Sequence, residues 1–135
     1  MTSDNPGKPG ASAANKDERQ KLLRQYRNIA VVGISSDEDR PSHYVSRYMQ
    51  EVGYDIIPIN PRYAGQSILG KHVYASLTEA QEAGERIEIV DVFRRGPDTP
   101  PVAEEAARIG ASVLWLQLGI RNDEAGRIAH ADVLI

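Results

Sequence analysis

An α/β fold built on a parallel sheet is predicted by three features of the sequence. From residue 16 onward, short apolar runs of strand length alternate with segments of helical periodicity. Two of those runs, "IAVVGI" (29–34) and "IEIVDVF" (87–93), are close to continuously apolar, as strands covered on both faces must be. Prolines and glycines then fall at the starts and stops of the helical segments rather than inside them.

The elements follow in order. "KDERQKLLRQYR" (16–27) reads as a short amphipathic helix with Leu22, Leu23 and Tyr26 inward. "IAVVGI" is the first strand. "SHYVSRYMQEV" (42–52) is a helix whose Tyr44, Val45, Tyr48, Met49 and Val52 share one face, expected to be the buried one. Pro41 suits its first turn and Gly53 the position after its end. "YDIIPIN" (54–60) is a strand that Pro58 consigns to an edge or terminal place. "SLTEAQEA" (76–83) opens with a capping box, Ser76 to Glu79, and stops at Gly84. "IEIVDVF" is the third strand, "PPVAEEAARI" (100–109) a helix with prolines in its first turn, and "SVLWLQL" (112–118) a fourth strand. "NDEAGRIAH" (122–130) reads as a helix with Asn122 as its cap, and "ADVLI" as the beginning of a last strand. Strands joined through helices need crossover connections, so the sheet is expected to be parallel. The result is a Rossmann-like, doubly wound parallel sheet of about five strands with helices on both faces.

Composition limits the rest. The chain has 135 residues, enough for one domain with a substantial core. Residues 1–15 are rich in Gly, Pro, Ser and Ala and read as a flexible tail, leaving 16–135 as the single folded domain. That opening stretch lacks the apolar core of a secretory signal. A formal net charge of −3 disfavours a nucleic-acid binder, and no apolar run is long enough to span a membrane. The absence of cysteine removes disulfides, thiolate metal sites and thiol nucleophiles, and fits a reducing, cytoplasmic setting.

In doubly wound sheets the ligand crevice lies beyond the carboxyl ends of the strands. The informative segments are therefore "GISSDEDR", "NPRYAG", "FRRGPD" and "QLGIR", which contain Arg40, Arg62, Arg94, Arg95 and Arg121. A chain that is acidic overall thus concentrates arginine on one crest, where bidentate phosphate contacts would be made. Gly33, followed by Ser35 and Ser36, releases the first strand into exposed hydroxyls and backbone N–H groups suited to an anion. Ser42 serves either that anion or the helix cap. Trp115 sits in an apolar run and reads as core.

Several chemistries find no motif. The glycine fingerprint G-x-G-x-x-G is absent, and the second strand ends in Asn60, Pro61 and Arg62 instead of the acid that grips an NAD ribose. Arg62 leaves a 2′-phosphate, and hence NADP, open. There is no P-loop, and "GISSD" is not a nucleophile elbow, since Asp37 occupies its last glycine position. His43, His72 and His130 show no metal spacing and read as surface or structural residues. No catalytic constellation emerges. What remains is a polyanion site of amides, hydroxyls and arginines.

With those residues in hand, the sequence resembles the small CoA-binding domain proteins, single domains similar to the CoA-binding domain of the succinyl-CoA synthetase alpha subunit. The resemblance runs from about Tyr26 to Ile135. It is carried by "VVGIS" (31–35), "RPSHYVSRYMQEVGY" (40–54), "IPINPR" (57–62), "ILGKHVYASL" (68–77), "IVDVFRR" (89–95) and "LWLQLGIRNDEA" (114–125). It implies coenzyme A, or an acyl-CoA, held by Gly33, Ile34, Ser35, Ser36, Arg40 and Ser42 in the first loop. Asn60, Pro61 and Arg62 would serve in the second loop, and Val92, Phe93 and Arg94 in the third. The synthetase domain that bears the phosphorylated histidine has no counterpart here, so the resemblance implies binding and not ligation. Members similar to this chain continue past the last strand with an Asp-Arg-Cys segment, whose contribution is not expected here. The expected function is non-catalytic binding of the cofactor. The alternative is an NAD(P)-dependent oxidoreductase or a nucleotide-sensing regulator on the same fold.

Overall fold

A computed structural model describes residues 16–94 and 96–116 of the protein. They form, in chain order, α1 (Lys16–Gln25), β1 (Asn28–Val32), α2 (Pro41–Glu51), β2 (Asp55–Ile59), β3 (Ser67–Ile68), β4 (Lys71–His72), α3 (Leu77–Glu82), β5 (Ile89–Val92), α4 (Thr99–Arg108) and β6 (Val113–Leu116). Four of the strands make a parallel sheet in the order β2-β1-β5-β6. The architecture is the expected Rossmann-like one. The tail at 1–15, Arg95 and Arg121, His130, the helix expected at 122–130 and the last strand lie outside the described residues.

Side chains alternate between the two faces of each strand, and two cores result. Ala30, Val32, Val90, Val92 and Leu114 pack under Leu77 and Ala80 of α3 and Ala103 and Ala106 of α4. On the other face Ile29, Val31, Ile56, Ile89 and Val113 meet Leu22, Leu23 and Tyr26 from the α1 segment and Met49 from α2. The near-continuous apolarity of β1 is thus accounted for: it is an inner strand, buried above and below. The chain leaves β1 through α2 toward β2, then returns through α3 to β5 on the other side. That reversal puts the topological switch between β1 and β5. Register brings Val32 level with both Ile59 and Val92, so three loops start from one line.

β2 occupies the sheet edge, as Pro58 requires. On its outer side the Pro58 carbonyl accepts from the Tyr74 N–H at 3.0 Å, a contact that needs no donor from proline. The capping box closes as read: Ser76 Oγ accepts from the Glu79 N–H at 3.0 Å, and the Glu79 carboxylate accepts from the Ala75 N–H at 2.8 Å. None of the described helices is long and apolar enough to cross a membrane.

Two features depart from the sequence reading. A small antiparallel hairpin, β3–β4, turns through Leu69 (φ 56°) and Gly70 (φ 74°) where no element was expected. Strands of two residues carry no periodic signal, and leucine is an unusual residue for a left-handed turn position. The second departure concerns α2. Its buried residues are Ser42, His43 and Ser46, while Tyr44, Tyr48 and Val52 face solvent. Only Val45 and Met49 of the apolar face turn partly inward. The reason lies in the site that the first turn of this helix supports.

Candidate functional site

Above the ends of β1, β2 and β5 lies an open cleft of about 450 Å³, lined by Gly33, Ser35, Arg40, Pro41, Ser42, Asn60, Pro61, Arg62, Tyr63, Phe93 and Arg94. It stands at the switch point, where a doubly wound sheet places its ligand. Of the four crest segments expected from the sequence, three converge there, each bringing an arginine, and the fourth, "QLGIR" (117–121), lies outside the described residues.

Gly33 makes this convergence possible. Its φ of +89° turns the chain out of β1, and its N–H donates to the Ile59 carbonyl at 2.9 Å. A Cβ at this position would lie 2.6 Å from the Phe93 carbonyl oxygen and 3.3 Å from Arg94 Cδ. The ends of β1 and β5 therefore touch through the missing side chain, with the Arg94 stem laid across it.

The loop after Gly33 is held from beneath. Asn60 Nδ2 donates to the Ile34 carbonyl at 2.8 Å, while Asn60 Oδ1 accepts from the Arg62 N–H at 3.0 Å. Ser42 Oγ accepts from the Ser35 N–H at 2.9 Å. The His43 ring meets the Ser35 carbonyl at 2.8 Å through Nδ1. A carbonyl only accepts, so Nδ1 carries the proton. Ser46 Oγ donates in turn to the Ser42 carbonyl at 2.6 Å. This explains the rotation of α2. Ser42 and His43 have the partly buried Ser35 N–H and C=O to satisfy, and polar groups left without partners away from water cost more than an exposed tyrosine.

The expected roles sort accordingly. Ser42 is not the helix cap: Arg40 holds that position without a side-chain bond, and Ser42 lies inside the first turn. Its hydroxyl and the Asn60 amide work on the loop. Ile34 and Val92 contribute no side chain to the cleft, because both are fully buried, one on each face of the sheet. Ser36 stands exposed beside the lining rather than in it. The backbone cradle is also sparser than expected. The N–H groups of Ser35, Asp37, Asp39 and Arg40 are all bonded within the loop and helix start. In the first turn of α2 the Ser42 N–H has no acceptor among the described residues and remains for an anion.

Positive charge falls to the arginines. Arg40 pairs with Asp37 at 4.0 Å, but its side chain is 71% exposed, so the pair is weak and the guanidinium accessible. Arg62 lies over the Tyr63 ring at 5.5 Å. A hydrogen bond from the Ser36 side chain draws the Tyr63 hydroxyl below the ordinary tyrosine range. Desolvation opposes this, and the Arg62 charge and the Ser35 side chain reinforce it. Tyr63, on the second loop, therefore stands close to Ser36 on the first. It and Pro41 line the cleft without having been singled out in the sequence, although Tyr63 directly follows Arg62 in the crest segment "NPRYAG". Trp115 lies elsewhere, half-buried in the core beneath α1 and α2.

The His43 bond is open to a direct check. His43→Ala leaves the Ser35 carbonyl without its donor and is expected to lower unfolding stability by about 1–3 kcal/mol. His43→Asn offers an amide N–H near the Nδ1 position and recovers a good part of that in urea unfolding. Equal losses in the two variants would show that the hydrogen bond is not what His43 supplies.

Comparison with known proteins agrees with this geometry. The sequence model of the family described as "CoA binding domain" matches residues 27–135. The uncharacterized protein YneT of Bacillus subtilis (strain 168) is 44% identical over 111 residues, which span 82% of this chain and 78% of that protein. A solved structure described as cell-free ID.343 from Thermus thermophilus is 35% identical, with a TM-score of 0.81 over 90% of each chain. A hypothetical protein from Pyrococcus horikoshii OT3 is 31% identical, with a TM-score of 0.82 over 90% of this chain and 84% of that one.

Proposed function

The chain belongs to the CoA-binding domain family, and from that premise we propose that it binds coenzyme A, free or acylated, in the cleft above β1, β2 and β5, without chemistry of its own. The observation that carries the reading is the arrival of Arg40, Arg62 and Arg94 on one cleft from three separate loops. Coenzyme A has a pyrophosphate and a 3′-phosphate, a polyanion that needs several cationic partners at once. The pyrophosphate belongs near the Ser42 N–H and Arg40, where the start of α2 adds its partial positive charge. The 3′-phosphate belongs to Arg62 or Arg94, and Tyr63 and Phe93 offer flat walls to the adenine. No carboxylate lines the cleft among the described residues. The one nearby imidazole has Nδ1 committed to the Ser35 carbonyl. The lining therefore suits holding an anion more than moving protons, which supports a carrier, sensor or delivery role.

Isothermal titration tests the assignment. Arg40→Ala and Arg62→Ala are each expected to weaken coenzyme A binding by about 1.5–3 kcal/mol, the range for hydrogen bonds to charged groups. Dephospho-CoA identifies the arginine that serves the 3′-phosphate, since that substitution ceases to matter for it. If both variants bind coenzyme A as the parent does, the site is wrongly assigned.

A further inference from the structure

Among the described residues, the large apolar side chains left exposed are Tyr44, Tyr48 and Val52, at 44%, 61% and 49% of their full accessibility. Their spacing of four makes them one stripe along the outer side of α2. On one flank the stripe runs into Val45 and Met49, which wall an apolar groove of about 160 Å³ that Trp115 also lines. On the other flank stand Arg47 and Glu51, one turn apart. Arg47 makes only a loose contact with Glu38, at 3.8 Å, and Glu38 is itself 77% exposed. Scattered apolar residues on a surface need no explanation, but a stripe continuous with a groove does.

We infer that this side of α2 is an interface between two copies of the chain, with their α2 helices packed antiparallel about a two-fold axis. The charges choose the occupant. A two-fold axis crossing the helix pair near the level of Tyr48 and Met49 reverses chain direction and brings each flank against the same flank of the other copy. Arg47 then faces the partner's Glu51, and the exchange occurs twice. Tyr44 comes opposite Val52, Tyr48 opposite its own counterpart, and the apolar flanks close over the groove. A parallel pair, related by an axis along the helices, would instead set the Arg47 and Glu51 flank of each copy against the apolar Val45 and Met49 flank of the other, leaving both charges without an opposite partner. Antiparallel alignment also sets the two helix dipoles against each other favourably. The inference is independent of coenzyme A, because the cleft takes Arg40 and Ser42 from the end of α2 before the stripe begins.

Sedimentation of the purified chain at up to about 100 μM, well above the dissociation constant of a standard-size interface, is expected to show a dimer. Tyr48→Lys, at an exposed position, is expected to give a folded monomer, with folding checked by circular dichroism. Arg47→Glu and Glu51→Arg are each expected to raise the dimer dissociation constant about tenfold or more, since each places like charges together at two symmetric points. The double variant restores opposite signs and returns the constant to near the parent value. A parent chain that stays monomeric at the highest concentration overturns the inference. So does a dimer indifferent to Tyr48→Lys, or a double variant no tighter than the single ones.

Discussion

Gly33→Ala is expected to lower the stability of the domain by about 2–4 kcal/mol and to abolish binding in the cleft. Two costs combine. An alanine at φ +89° carries a left-handed penalty of about 1–2 kcal/mol. Its Cβ also meets the Phe93 carbonyl oxygen at 2.6 Å, and that atom belongs to backbone at the end of β5, which cannot swing aside as a side chain would. Relief requires the ends of β1 and β5 to part, and the Phe93 carbonyl and the Arg94 stem move with them. At roughly 3–6 °C per kcal/mol for a domain of this size, the melting midpoint should fall by about 6–24 °C. Gly53→Ala is the control. Gly53 has a comparable φ of +108°, but a Cβ there meets nothing within 4 Å, so only the conformational cost applies. Equal losses at the two positions, measured by urea and thermal unfolding, would show that the contact between strand ends carries no weight.

Saturating coenzyme A is expected to raise the melting midpoint by on the order of 10 °C. A ligand that binds only the folded state stabilises it by RT ln(1 + [L]/Kd), about 2.7 kcal/mol at a hundredfold excess over Kd. The shift should shrink as salt rises. The loop N–H groups are largely committed to Ser35, Ser42 and Asp37, so the attraction rests on accessible arginines, which salt screens. NAD lacks the 3′-phosphate and meets Arg62 where it needs a carboxylate, so it should move the midpoint little. NADP is the harder control, because its 2′-phosphate can address the same arginine. If NAD or NADP stabilises the protein more than coenzyme A at equal concentration, the dinucleotide oxidoreductase reading replaces the proposed one.

Strand and helix assignments were legible because each rests on a short-range rule. The unbroken apolarity of "IAVVGI" reports burial on two faces, and β1 is indeed flanked by β2 and β5 with helices above and below. Pro58 marked an edge strand because a proline removes a ladder donor, and Ser76 with Glu79 marked a helix start because their bonds close within four residues. The crest loops were legible for a similar reason. Once the strands alternate with helices, the residues after each strand must share one edge of the sheet.

Within those loops, chain order says where a residue stands but not what its polar atoms meet. Ser42 and Asn60 read equally well as ligand contacts until their partners, the Ser35 N–H and the Ile34 carbonyl, are known. Tyr63 gains its place only when the second loop comes within reach of Ser36 in the first. The face of α2 shows the same limit more sharply. Counting apolar residues at helical spacing selects Tyr44, Tyr48 and Val52 as its inner side, because periodicity registers hydrophobicity alone. The amino-acid sequence by itself determined the order of elements, the parallel sheet, its edge strand and the crest on which the arginines gather. Tertiary structure decided which way α2 turns, since Ser42 and His43 are needed beneath a loop whose Ser35 N–H and C=O would otherwise be left partly buried without protein partners. Satisfying those two groups outweighs hiding a stripe of apolar surface, and no pattern along the chain records that they must be satisfied.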